Sequence, residues 1–318
     1  MSAAADALQP QLVRELLNLR GREHPRYIMN VIVDGPKAGY DLDFDAAASS
    51  IRIDFREPKF LGSAIGGDAS RFASASFSSA KGVAAALDGA DTLSWGLLRL
   101  YYSAFYAGHA LLRLLGRSCS YLEAPHIAQI RRLANARGSP PPFAIEGGLY
   151  SCTLNSAQTG FELTRARGRV GGAHEAFWGM FDLFLSEATE EVLKNRIAPA
   201  DARNVFLKLD GLRRILARGA GASWLSAVRN EIQYRHTRGV WAPPTINRAS
   251  RGVLHRIADL WLRDPMAIEL DTPAGAELGA FVTACTFIVG LCRVVLERVA
   301  AGSKAGANSF ARPALALF

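Results

Sequence analysis

Fifteen consecutive residues, Leu278 to Cys292, carry no charge, and this run constrains the fold more than any other stretch. A helix that is apolar all round has to be covered on every side, by lipid or by protein. The uncharged run is shorter than the roughly 20 apolar residues that span a bilayer, so we expect a core helix and no membrane partner. Around it, apolar residues recur with helical spacing at His174–Asn195, Ala200–Arg218, Gly221–His236 and Ala249–Leu262, while the run itself sits within Ala274–Ala301. The hydrophobic share of 49% and charged share of 21% are those of a soluble globular protein. The first residues show neither a basic region nor an apolar run, so no secretory leader is read and a cytoplasmic location is expected. Cys119, Cys152, Cys285 and Cys292 form no Cys-x-x-Cys pair and have no histidines at ligand spacing. No metal site and no cofactor are expected.

Upstream, Asp91 or Thr92 can cap a long helix that runs to about Leu115, where Gly116 stops it. The pattern before residue 82 differs. Helical spacing at 7–20 ends before Pro25, and Tyr27–Asp34 and Ser50–Phe55 are β-branched or alternating runs that predict strands, separated by Gly35-Pro36 and Gly39. The stretch 62–81 is rich in Gly, Ser and Ala and reads as a linker. Residues 138–172 hold three consecutive prolines and many glycines without a helical period. The expected class is therefore mostly α, with a strand-containing N-terminal part at 1–80. A helical domain follows at 81–302, with an insertion at about 117–173 and a C-terminal tail at 303–318.

The formal charge of +8 and isoelectric point near 9.6 favour polyanionic partners. The excess lies in arginine, as in Arg131-Arg132, the Arg165/Arg167/Arg169 run and Arg213-Arg214. Guanidinium forks suit phosphate because they can bond two oxygens at once.

Chemistry concentrates in Arg229-Asn230-Glu-Ile-Gln233-Tyr234-Arg235-His236. On an α-helix seven residues make nearly two turns, so Arg229 and His236 are expected on one face within about 20°, with Gln233 between them. Tyr234 follows Asn230 by four residues on the neighbouring stripe. Cleaving RNA without a metal requires a base for the ribose 2′-hydroxyl, an acid for the leaving 5′ oxygen and positive charge on the phosphorane. Histidine can take either proton role, Arg229 supplies charge and Asn230 orientation. The competing reading is ordinary: Arg and His near a helix C-terminus also meet the negative end of the dipole. In the long upstream helix, Arg99, Tyr102, Tyr106, His109 and Arg113 share one side, with Tyr102 and His109 as further candidates for substrate contact or as satisfied core residues. His126 and His174 belong to no metal-spaced cluster.

The segment Arg99-Leu-Tyr-Tyr-Ser-Ala-Phe-Tyr-Ala-Gly-His-Ala-Leu-Leu-Arg113 resembles the first helix of HEPN domains, and Arg229-Asn230 followed by His236 is similar to their Arg-x4-6-His signature. The two motifs stand in the family's order, over about residues 82–300. The resemblance implies a helical bundle that dimerises so that two Arg/His motifs face each other across a cleft. It further implies metal-independent endoribonuclease activity, commonly in toxin–antitoxin or antiviral defence systems with an antitoxin or defence partner protein. Arg229, His236 and Asn230 would then be catalytic, and Gln233, Tyr234, Arg235, Tyr102 and His109 would contact RNA. Some members of the family are non-catalytic modules that bind RNA, nucleotide or protein. The six-residue register from Arg229 lies at the long end of the family's range, with Tyr234 where the shorter version has its histidine.

Overall fold

The computed structural model describes residues 2–21, 27–34, 39–166, 172–194, 199–271 and 276–318. Pro25, Gly35, Pro36, Arg167 and Arg169 of the sequence reading lie outside them. The chain is mostly helical, as expected, with a small antiparallel sheet. In order it forms α1 (Ala3–Leu8), α2 (Asn30–Asp34), β1 (Tyr40–Asp45), β2 (Ser50–Phe55), α3 (Pro58–Ala80), α4 (Val83–Asp88) and α5 (Leu93–Leu114). Then come β3 (Arg117–Leu122), α6 (Ala124–Ala136), β4 (Gly148–Leu154) and β5 (Gly160–Arg165). The remaining helices are α7 (Ala173–Lys194), α8 (Pro199–Leu216), α9 (Trp224–Asn230), α10 (Arg248–Asp259), α11 (Glu277–Gly302) and α12 (Arg312–Leu315).

α11 is the central post. By length and mean hydropathy, 2.0, it is long and apolar enough to cross a membrane, yet 89% of that stretch is buried inside the protein. As the helical spacing over Ala274–Ala301 predicts, the helix continues past the uncharged run through Arg293 and Glu297 to Gly302. α5 packs along it, and α3 packs along α5. α5 ends as its sequence predicts: Gly116 takes φ +75, and its N–H returns to the Arg113 carbonyl at 3.1 Å.

Several expectations are corrected. Residues 62–81 are not a linker but most of α3. Its small residues are the reason for the close fit to α5: Ala69, Ala73, Ser76 and Ala80 are buried, and Ser103 of α5 donates to the Ser76 carbonyl at 2.9 Å. A Cβ on Gly62 would lie 2.6 Å from Glu15 Cβ, so this glycine admits the N-terminal segment against the helix. Tyr27–Asp34 is no strand, since Asn30–Asp34 is helical. The helix expected over 7–20 breaks at Pro10, which lacks an amide hydrogen, into the end of α1 and 3₁₀ turns at Gln9–Gln11 and Arg14–Asn18. The C-terminal stretch is no loose tail: Phe310 is fully buried, and Phe318 packs edge-on against Phe77 and Trp261.

The sheet joins what the sequence seemed to separate. Its order is β1-β2-β5-β4-β3, so the N-terminal hairpin and the segment read as an insertion share one sheet. Ile51 pairs with Leu163 and Ile53 with Phe161, all four buried. This pairing crosses the expected boundary at residue 80. Gly160, opposite Asp54, lets the two strands approach: a Cβ there would meet the Ile53 carbonyl oxygen and stand 2.7 Å from Asp54 Cα. Backbone cannot yield as a flexible side chain can. Gly160→Ala is therefore expected to cost about 1–3 kcal/mol of unfolding free energy in urea titration, and a neutral result would contradict the register.

Candidate functional site

Arg229 sits at the last turn of α9 and is 6% exposed. Its guanidinium carbon lies 5.5 Å from the Tyr101 ring centroid, 5.7 Å from that of Tyr102 and 5.7 Å from that of Tyr234. Three aromatic faces thus hold the cation by its attraction to their π-electrons. Its Nη1 donates to Asn230 Oδ1 at 2.7 Å, while its Nε is buried without a hydrogen-bond partner. Among the described residues no carboxylate pairs with it. One turn on, Gln233 Oε1 is likewise buried and unpartnered. Buried donors and acceptors are almost always satisfied, and an unneutralised buried guanidinium with an idle N–H is suited to receive an anion.

The sequence dismissed the histidine that stands beside this cage. Tyr101 is fully buried, and its hydroxyl accepts from Trp178 Nε1 at 3.0 Å and meets His174 Nδ1 at 2.8 Å. Burial pushes the Tyr101 hydroxyl up to about 12. Burial, reinforced by the nearby positive charge of Arg229, pushes the His174 imidazole down to about 4. His174 stacks on Phe105 at 4.3 Å and stands edge-to-face with Tyr102 at 5.9 Å. Tyr101 and His174 are 73 residues apart, so no local spacing could have joined them.

Arg229 and His236 do not lie on one strip, which corrects the two-turn argument. After Asn230 the helix widens to a π-turn over Glu231–Arg235, in which the His236 N–H bonds to the Glu231 carbonyl five residues back. Seven residues no longer equal two turns. His236 then leaves the helix with φ 54 and ψ 29, exposed, its ring 4.9 Å from that of Trp241. Trp241 is held by its Nε1 donating to the Ile232 carbonyl at 2.7 Å and meets Trp95 edge-on at 5.4 Å. Arg238 pairs with both Glu231 and Glu277, tying the turn to the start of α11. π-turns and left-handed non-glycine residues concentrate at functional sites. A histidine here incurs backbone strain that glycine would not. His236→Val, β-branched, should therefore be about 1–2 kcal/mol less stable than His236→Gly in chemical denaturation. Equal stabilities would contradict the left-handed backbone.

The other candidates separate. Tyr234 is 68% exposed and covers the guanidinium, Arg235 is exposed, and Tyr102 is half-buried beside Arg229. His109 is corrected from substrate contact to core. It is stacked between Phe72 at 4.7 Å and Phe177 at 4.1 Å, and Arg113 Nη1 donates to its Nδ1 at 3.2 Å. Burial, with Arg113 beside it, holds its imidazole well below the usual range. Arg113 is in turn paired with Asp68, both buried. Elsewhere, a cleft of about 410 Å³ beside α8 is lined by Lys208, Arg214, Glu269 and Asp271, whose charges pair with one another, and holds none of the site residues. All four cysteines are buried and free. Among the described residues no group of three His, Cys, Asp or Glu is placed to hold a metal. Against known protein families, curated proteins and solved structures, the chain finds no match.

Proposed function

We propose that this chain is a metal-independent endoribonuclease of HEPN type, in which Arg229 binds the scissile phosphate. The observation that carries this reading is the buried Arg229 guanidinium, cradled by three tyrosines, with its Nε unpartnered and, among the described residues, no carboxylate to neutralise it. In the reaction the ribose 2′-oxygen bonds to phosphorus as its proton passes to a base, and the P–O5′ bond breaks as an acid protonates the leaving oxygen. Arg229 offsets the charge that builds on the phosphorane. Among the described residues each chain offers one exposed histidine here, His236, so the second proton carrier comes from a second copy in a homodimer. Asn230 orients Arg229 through their hydrogen bond. Tyr234 and Arg235, both exposed, would contact the RNA. The context is a toxin or defence effector with an antitoxin or sensor as protein partner.

One observation favours a second reading. His236 points to Trp241 rather than along a strip with Arg229, as suits a module that binds RNA, nucleotide or a protein partner without cleaving. Incubating purified protein with RNA in excess EDTA separates the two. Fragments bearing 2′,3′-cyclic phosphate or 3′-phosphate ends are expected; retained RNA binding with intact RNA would establish the binding module instead.

A further inference from the structure

The Arg229 cage has a neighbour whose protonation state follows from its hydrogen-bond partners and their strengths as acceptors. Trp178 Nε1 can only donate, so the Tyr101 oxygen accepts from it. The Tyr101 proton, fully buried, must in turn find an acceptor; His174 Nδ1 stands at 2.8 Å, and the Ser226 hydroxyl, also beside Tyr101, is a weaker acceptor than an imidazole nitrogen. A ring nitrogen that accepts carries no hydrogen. With Nδ1 accepting from Tyr101, His174 is the neutral tautomer with its hydrogen on Nε2, on the side of the ring away from Tyr101. Tyr101 and Tyr102 flank both this imidazole and the Arg229 guanidinium. The charged and titratable groups around it are Arg229 from α9, Tyr101 and Tyr102 from α5, and His109 one ring further along α5, beyond Phe105. Among the described residues, none of these groups facing it is a carboxylate that would draw a proton onto the ring.

We propose that His174 completes the Arg229 site as a fixed neutral donor, giving Nε2–H to an oxygen of a bound phosphate while Tyr101 holds Nδ1. This rests on the reading of Arg229 as a phosphate ligand. The division of labour is physical: Arg229 supplies the charge, and a second cation beside it would be repelled, whereas a neutral N–H adds a hydrogen bond without that cost. No proton leaves His174, so its role is binding and orientation, and the proton transfers of cleavage remain with other groups.

The test is nuclear magnetic resonance of the full chain labelled with ¹⁵N at histidine and arginine, using inorganic phosphate as the probe. In the free protein His174 is expected as the Nε2–H tautomer. Saturating phosphate should shift both His174 Nε2 and Arg229 Nε, and Arg229→Ala should abolish the His174 shift. His174→Ala should weaken phosphate binding about tenfold, the worth of one hydrogen bond to a charged group. Tyr101→Phe keeps the buried ring and frees Nδ1, so the tautomers should mix and affinity should fall several-fold. An Nδ1–H tautomer in the free protein overturns the proposal. So does a phosphate shift at Arg229 that leaves His174 unmoved, although the Arg229 reading then stands. Shifts at neither residue overturn both.

Discussion

Arg229→Ala is expected to lower RNA cleavage in EDTA about 10²–10³-fold, the usual loss when one preorganised charged donor to a transition-state oxyanion is removed. The effect should fall on the chemical step. Arg229 is 6% exposed and already held by Asn230 and three tyrosine rings, so on the proposed reading it would meet a phosphate without reorganising. Arg229→Lys keeps the charge but loses the planar fork, and activity should remain at least tenfold down. Truncation also forfeits cation–π contacts of about 0.5–1 kcal/mol each, so thermal unfolding of each variant is measured beside its activity. Undiminished cleavage by a folded Arg229→Ala protein would remove Arg229 from the mechanism. His236→Gly, which the backbone accepts, makes the companion test: it should lose cleavage while retaining its fold.

The second large effect concerns stability. Asp68 of α3 and Arg113 of α5 form an ion pair that is 0% and 1% exposed, and Arg71 shares the same carboxylate from the protein's edge. Arg113 also lies over the Phe72 ring at 4.4 Å and donates to His109 at its carbonyl oxygen and at Nδ1. Asp68→Ala strands that guanidinium in the core. The expected loss is about 3–5 kcal/mol in urea unfolding, because an uncompensated buried charge costs more than the pair is worth. Replacing both, as Asp68→Ala with Arg113→Met, should recover much of it. Losses below 1 kcal/mol for the single variant, or no recovery in the double, would show that the pair does not hold α3 to α5. Since α5 carries Tyr101 and Tyr102, slackening this contact should also loosen the Arg229 cage.

Some of this was legible in the residues themselves. The uncharged Leu278–Cys292 run marked the central helix because continuous apolarity admits few placements. The long helix and its Gly116 stop, the Ser50–Phe55 strand and the helices near 174 and 200 followed from local period and capping. Arg229 stood out because the residue types around it fit phosphate chemistry. Local pattern misled where small residues were concerned: the Gly, Ser and Ala of 62–81 looked like a linker, yet smallness is what lets α3 lie close against α5. It misled again at Arg229–His236, because helical spacing assumes one pitch and the π-turn changes it. Tertiary structure alone decided that β5 joins β2, making one sheet of two segments, and that His174 stands at Tyr101. Strand partners and side-chain clusters bring together residues scores of positions apart, and nothing in the periodicity of either segment encodes which distant segment will satisfy its buried polar groups.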